Sequence, residues 1–305
     1  MRRYGLSHAS DEQGPPDALT AVAFGVLVIL AGGNAVGIKI IGEELDAFWG
    51  AALRFGAGAV IFAALMLAMR VPVPRRAALA GAVLYGLLGF GAAFGIAFVA
   101  IPMVGAGTAQ LLLGLVPLLT LVLVPFHGLE AFQPRAFIGS LVALAGIAIL
   151  AADRLALDIP PEGIGLAIVV ALLLAEAGVV AKLTPRAHPI ATNAVGMLAG
   201  VALLLPVSWL AGETWVLPTR ADTWAAAAYL VVAGSVAVFW LFIFVVRRWT
   251  ASAASFQFLL IPLATVPFSA LLTGERITPF MLVGGAVVLG GVYIGVFATS
   301  LRLRR

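Results

Sequence analysis

Residues 105–152 and 250–297 read as one segment written twice. Shifted by 145 positions without a gap, Ala106 falls on Ala251 and Ala109 on Ala254, and Leu115-x-Pro117-Leu118-x-Thr120 falls on Leu260-x-Pro262-Leu263-x-Thr265. Further along, Glu130, Pro134, Gly139 and Gly146 fall on Glu275, Pro279, Gly284 and Gly291. Shared hydrophobicity can align alanines and leucines, but it rarely aligns prolines, glutamates and glycines in one register. A duplication restricts the fold more than any local signal, because both copies must adopt one structure and bury their apolar faces on each other.

The medium for that burial is lipid. Of 305 residues, 63% are hydrophobic and only 10% charged, against about 25% charged in soluble proteins. Apolar runs long enough to cross a bilayer core of about 30 Å as helices recur along the chain. Ten spans are expected, at 18–41, 47–69, 77–100, 104–126, 134–152, 162–183, 189–211, 223–246, 251–273 and 278–300. The duplication sets spans 1–5 (18–152) against spans 6–10 (162–300), with a linker at 153–161 and tails at 1–17 and 301–305. Five is odd, so the second copy enters the membrane from the opposite side. The fold class is therefore an all-α integral membrane protein, with ten transmembrane helices as two inverted five-helix repeats. Arg2-Arg3 starts no signal peptide, because Asp11, Glu12 and Asp17 follow it and the next apolar stretch is too long.

Loop charges give the orientation. With the N-terminus inside, 13 of the 18 basic residues fall in cytoplasmic segments and only Arg154, Arg220 and Arg276 on the other side, with Lys39 and Arg54 inside spans. Both termini are expected in the cytoplasm. A net charge of +4 spread over short loops, without interleaved aromatics, is orientation rather than a nucleic-acid footprint. The chain has no cysteine, which excludes disulfides, thiolate catalysis and Cys-held metals. His8, His127 and His188 are scattered without metal-ligand spacing, and no cofactor or metal is called for. No H-E-x-x-H, G-x-S-x-G or P-loop occurs; Gly89-x-Gly91-x-x-Phe94 lacks the third glycine of a dinucleotide loop.

Polar groups inside the spans are the informative exceptions, since an unpaired one in hydrocarbon is costly. The main ones are Asn34, Arg54, Gln110, Glu176, Ser255 and Gln257. Gln110 and Ser255 occupy equivalent positions, and seven residues after each comes the matched Pro117 or Pro262, on the same helix face. Each proline frees a backbone carbonyl, and polar groups beside loosened backbone suit a transport site at the membrane midplane. The alternative is that these side chains stitch helices together and the prolines are passive kinks. Glu176 lies some seven residues from the inner end of span 6, roughly 10 Å deep, as a coupling site, a counter-charge for a substrate amine, or half of a structural pair. Arg54 either snorkels structurally or reads a substrate carboxylate, and Lys39 snorkels. Among the aromatics within spans, Tyr85 and Trp240 rank first because each adds a hydrogen-bond donor. The pairs Gly139/Gly146 and Gly284/Gly291 read as packing seams.

These features resemble the drug/metabolite transporter superfamily, EamA type. The resemblance rests on two inverted five-helix halves and on Gly274-Glu275-x-x-x-Pro279-x-x-x-x-Gly284 followed by Gly291; Asn34, Lys39 and Arg54-Phe55 also match. The first copy departs at Leu129, where the second has Gly274, and Gly196 stands near the place equivalent to Arg54. Within the superfamily, the chain is most similar to bacterial exporters of aromatic amino acids. The resemblance implies an inner-membrane carrier working by alternating access on a small molecule held between the halves; the expected partners are that molecule and the lipid bilayer, and a monomer is the expected state. Asn34, Gln110, Glu176, Ser255 and Gln257 would take the polar end of the substrate and Tyr85 and Trp240 its apolar body. Pro117 and Pro262 would act as hinges. A multidrug exporter of cations using Glu176, and a scaffold that transports nothing, are the rival readings.

Overall fold

The computed structural model describes residues 16–104, 106–152, 160–185, 187–273 and 278–297, apart from the side chains of 106, 107, 269–273 and 297. The expectations for Arg2, Arg3, His8, Arg154, Arg186, Glu275, Arg276, most of the linker and both chain ends lie outside the described residues. Every regular element among the described residues is helical. Among the described residues nine helices are long and apolar enough to span a membrane: Ala18–Gly42, Ala47–Ala68, Ala77–Val104, Thr108–Phe126, Pro161–Leu183, Pro189–Leu210, Ala221–Arg248, Ala251–Phe268 and Pro279–Val296. A tenth, Pro134–Leu150, is shorter and completes spans 1 to 10 in the expected order. The protein is a multi-pass membrane protein.

Span 3 runs to Val104 rather than 100, because Pro102 is accommodated near its end without stopping the helix. Three spans are interrupted. Span 1 is two helices, Ala18–Ala31 and Asn34–Gly42, separated at Gly32-Gly33; span 4 breaks at Gly114-Leu115 and span 9 at Phe256. Spans 3 and 8 each carry a widened π-helical turn, Leu87–Ala93 and Val232–Ala237. Adding the repeat offset of 145 to Leu87 gives Val232, so the two copies deform at the same place.

The helix contacts follow the duplication. Span 5 packs on span 10 and span 2 on span 7, each helix against its own repeat mate. Span 1 against spans 8 and 9 is mirrored by span 6 against spans 3 and 4. Register shows the inversion directly. A Cβ on Gly139 would meet Gly295, one on Gly146 Val288, one on Gly284 Leu150 and one on Gly291 Ala143. As the number rises along span 5 it falls along span 10, so equivalent helices run antiparallel. Those added Cβ atoms would lie 2.4–2.6 Å from partner backbone atoms. Only glycine allows that approach, and in lipid close backbone packing replaces the hydrophobic drive as the source of association. The matched glycines are the packing seam.

One face of the bundle is tied by the loops after spans 1 and 7. Glu213 accepts the Phe48 and Trp49 amides at the start of span 2 (2.9 and 2.8 Å), satisfying orphan donors of that helix. Asp46 accepts from Thr214, Glu44 from Thr219, and Trp49 stacks on Trp215 with ring centroids 5.1 Å apart. On the other face Glu130 caps span 9 by accepting the Ala251 amide at 2.7 Å. There Lys182 donates to the Val246 carbonyl at 3.0 Å.

Candidate functional site

The break in span 1 creates the site. Gly32 and Gly33 stop the helix, and the carbonyls of Leu30 and Gly32 take donors from the other half instead: the Tyr229 hydroxyl at 2.6 Å and the Thr265 hydroxyl at 2.9 Å. No side chain larger than glycine fits there, because a Cβ on Gly33 would fall 2.5 Å from the Tyr229 oxygen. Asn34 then opens the second piece of span 1.

Asn34 lines a cavity of about 70 Å³. Its walls come from spans 1 and 3 of the first half and spans 6, 8 and 9 of the second, so it lies between the halves. Tyr85, Phe90, Phe94, Phe239, Phe242 and Phe258 supply six aromatic rings; Asn34 and Gln257 supply two amides. The remaining lining is small or aliphatic, from Ala31, Gly89, Leu174, Ala177, Gly178, Val238 and Ile261, and no described lining residue is ionisable apart from the Tyr85 phenol. The rings brace one another: Phe90 and Phe239 centroids are 4.7 Å apart, and Phe94 and Phe239 5.6 Å. Tyr85 is 3% exposed, and its hydroxyl has no hydrogen-bond partner among the described residues. A buried hydroxyl without a partner costs about 1–3 kcal/mol, which a ligand or water in the cavity would relieve.

Behind Asn34 sits Arg54, 2% exposed. Its Nε donates to the Ser235 hydroxyl and one terminal nitrogen to the Gly234 carbonyl, both at 2.9 Å; that nitrogen is 3.5 Å from the Asn34 carbonyl oxygen. Gly234 and Ser235 belong to the π-helical turn of span 8, and such turns release carbonyls from the helical ladder. An arginine at membrane depth costs about 3 kcal/mol on insertion scales. Two short bonds at about 1.5–3 kcal/mol each offset that, so the charge is tolerated here without a carboxylate. The guanidinium carbon lies 5.2 Å from the Phe94 ring centroid, within cation–π range.

Of the candidate residues, then, Asn34, Tyr85 and Gln257 converge on the cavity, and Arg54 contacts it through Asn34 and Phe94. The others lie elsewhere. Trp240 is 38% exposed on the outer surface, stacked on Phe244 at 5.9 Å; its neighbour Phe239 faces inward. Ser255 is buried but donates to the Ser252 carbonyl of its own helix at 2.6 Å. Gln110 is half-buried ahead of the span 4 break and outside the lining. Glu176 faces His127, 3.1 Å from Nε2, with its side chain 26% exposed; its neighbour Ala177 lines the cavity. Lys39 is exposed. Pro117 lies in the first turn of its helix, where a missing N–H costs little. Pro262 is buried mid-helix and deprives the carbonyl of Phe258, four residues back, of its helical donor.

Phe94 and Phe239, and Gly89 and Gly234, are also mates at the 145 offset. That signal, carried from spans 4 and 9 back to spans 3 and 8, would have located the aromatic wall and its flexible backbone.

The EamA-like transporter family matches residues 19–152 and 161–297. The chain belongs to that family. The EamA-like fold is a repeated two-part unit, and a transporter of this family works on a small molecule within a lipid bilayer. One solved structure, titled only "Crystal structure of protein", shares the fold with a TM-score of 0.78, at 20% identity, over 94% of this chain and 99% of the other. No curated protein matches the chain.

Proposed function

We propose that this EamA-like protein exports small aromatic metabolites, aromatic amino acids foremost, by alternating access through the cavity between its halves. The observation that carries the reading is the lining: six aromatic rings and two amides, with no charged side chain among the described lining residues. Aromatic walls take a ring by stacking and edge contacts worth about 0.5–1.5 kcal/mol per pair beyond burial. The amides fix a polar end. An inverted repeat with interrupted helices around a midplane site supports alternating access.

At about 70 Å³ the cavity is about half the ~150 Å³ that accommodates benzene in a dry protein cavity. Substrate entry therefore needs the rings to part, and the weakened backbone of spans 3 and 8 gives them a place to move. Arg70, Arg75, Arg76, Arg135, Lys182, Arg247 and Arg248 all lie toward the face we assign to the cytoplasm, which supports a bacterial inner-membrane protein with both termini inside. The cationic-drug reading is less favoured, since Glu176 lies outside the lining and faces His127, 3.1 Å from Nε2.

Proteoliposomes holding the purified protein should take up radiolabelled phenylalanine faster than protein-free vesicles, with saturation. Absence of protein-dependent flux for every aromatic metabolite tried would refute the proposal.

A further inference from the structure

Arg54 is a cation whose coordination is unfinished. It is 2% exposed, and among the described residues no carboxylate lies within ion-pair distance and its buried second terminal nitrogen has no hydrogen-bond partner. Two of its three contacts, to Ser235 and Gly234, are short at 2.9 Å. The third, to the Asn34 amide oxygen on the cavity wall, is 3.5 Å and is the weakest of the set. A guanidinium presents five donors in a planar fork matched to a carboxylate. A purely structural arginine would direct its spare donors at backbone carbonyls, as its other terminal nitrogen does at Gly234.

We infer that Arg54 selects the substrate through its carboxylate, and that the substrate class is aromatic carboxylates in which the amino group is dispensable. The inference rests on the aromatic-exporter reading and sharpens it. An incoming carboxylate displaces the long Asn34 contact and takes the unfilled fork, while the aromatic body stays among Phe94 and the other rings. Nothing acidic among the described lining residues is placed to pair with an ammonium group. An amine therefore meets only amide oxygens and ring faces, and a substrate lacking the carboxylate leaves the second terminal nitrogen of Arg54 unfilled.

The test compares isosteric probes on the purified wild-type protein: phenylacetate against phenylacetamide, and phenylalanine against phenylalaninamide and phenethylamine. Binding is read by thermal shift and calorimetry, and flux by proteoliposome uptake or competition. Phenylacetate and phenylalanine should each bind tighter than the uncharged or amine probes by about tenfold or more, as for a hydrogen bond to a charged group. In R54Q that ratio should collapse toward one; R54K, which keeps the charge but not the fork, should retain part of it. A structural role would weaken all probes together and leave the ratio intact. If the amide and amine bind and move as well as the acids, carboxylate selection is overturned while aromatic export stands. If no aromatic probe binds or moves at all, export itself fails and the inference with it. If R54Q does not fold, the wild-type ratios still decide carboxylate selection and the partial loss in R54K assigns it to Arg54.

Discussion

Replacing Gly234 by alanine is a sharp local perturbation of the site. A Cβ there would sit 2.1 Å from the Asn34 side-chain oxygen and 3.2 Å from the nearer Arg54 nitrogen. Ordinary contact begins at 3.4 Å, so the oxygen must retreat by about 1.3 Å, the difference of the two distances. Its bond to Arg54 is already 3.5 Å long and does not survive that retreat. Overpacking of this kind costs about 1–3 kcal/mol. The obstructing atom ends a side chain, so the clash is relieved by truncating Asn34. G234A alone should lower the melting temperature in detergent and raise KM for aromatic substrate. G234A/N34A should recover the melting temperature but not KM, because the amide that faces the cavity is gone. The non-additivity of this double-mutant cycle should be at least about 0.5 kcal/mol in stability, as expected for residues in contact. Strict additivity, or a G234A protein with unchanged melting and KM, would refute the assignment of Gly234 as the space that holds Asn34.

Further predictions concern the seam, the Glu176–His127 contact and the loops. G291A should destabilise by about 1–3 kcal/mol or abolish the folded peak in size-exclusion chromatography, since its Cβ would lie 2.4 Å from the Ala143 amide nitrogen. E176Q should change stability by less than about 1 kcal/mol, as for a partly exposed pair, and leave the relative affinities of aromatic probes unaltered; a selective loss of cationic aromatics would revive the cationic-drug reading. Hydrogen bonding, chiefly from Thr219, lowers the Glu44 carboxyl from 4.5 to about 2. Its folded pKa lies below the unfolded one, so this stabilisation is complete above about pH 4.5 and fades as pH falls toward 2. Melting curves of wild type should drop more steeply than those of E44Q across that window.

The spans and the repeat were legible in the sequence because hydrocarbon thickness and chain duplication each leave a long-range record. The glycine seam was legible because only glycine, seven apart on one face in both copies, explains such spacing. What the sequence withheld was azimuth. A π-helical turn rotates everything after it, so Trp240 turns outward and Phe239 inward, a difference of one residue or about 100° around the helix. Ser255 shows a second reason: a hydroxyl can satisfy itself on its own helix, so a polar residue at a matched position need not face the pocket. Glu176 shows a third, since the sequence could not reveal that His127 would reach it from the end of span 4. Gly32-Gly33 was visible as a dipeptide, but its meaning depends on Tyr229 and Thr265, more than 190 residues away in sequence.

The account depends on a cavity between oppositely oriented halves that opens to each side in turn. A single cysteine at Gly178, where a Cβ would sit a comfortable 3.7 Å from the Phe242 ring, reports this in reconstituted vesicles of known orientation. Membrane-impermeant thiol reagents should label it from either side, and phenylalanine should protect it from both. Labelling from one side only, or labelling that saturating aromatic substrate leaves unchanged, would contradict the account.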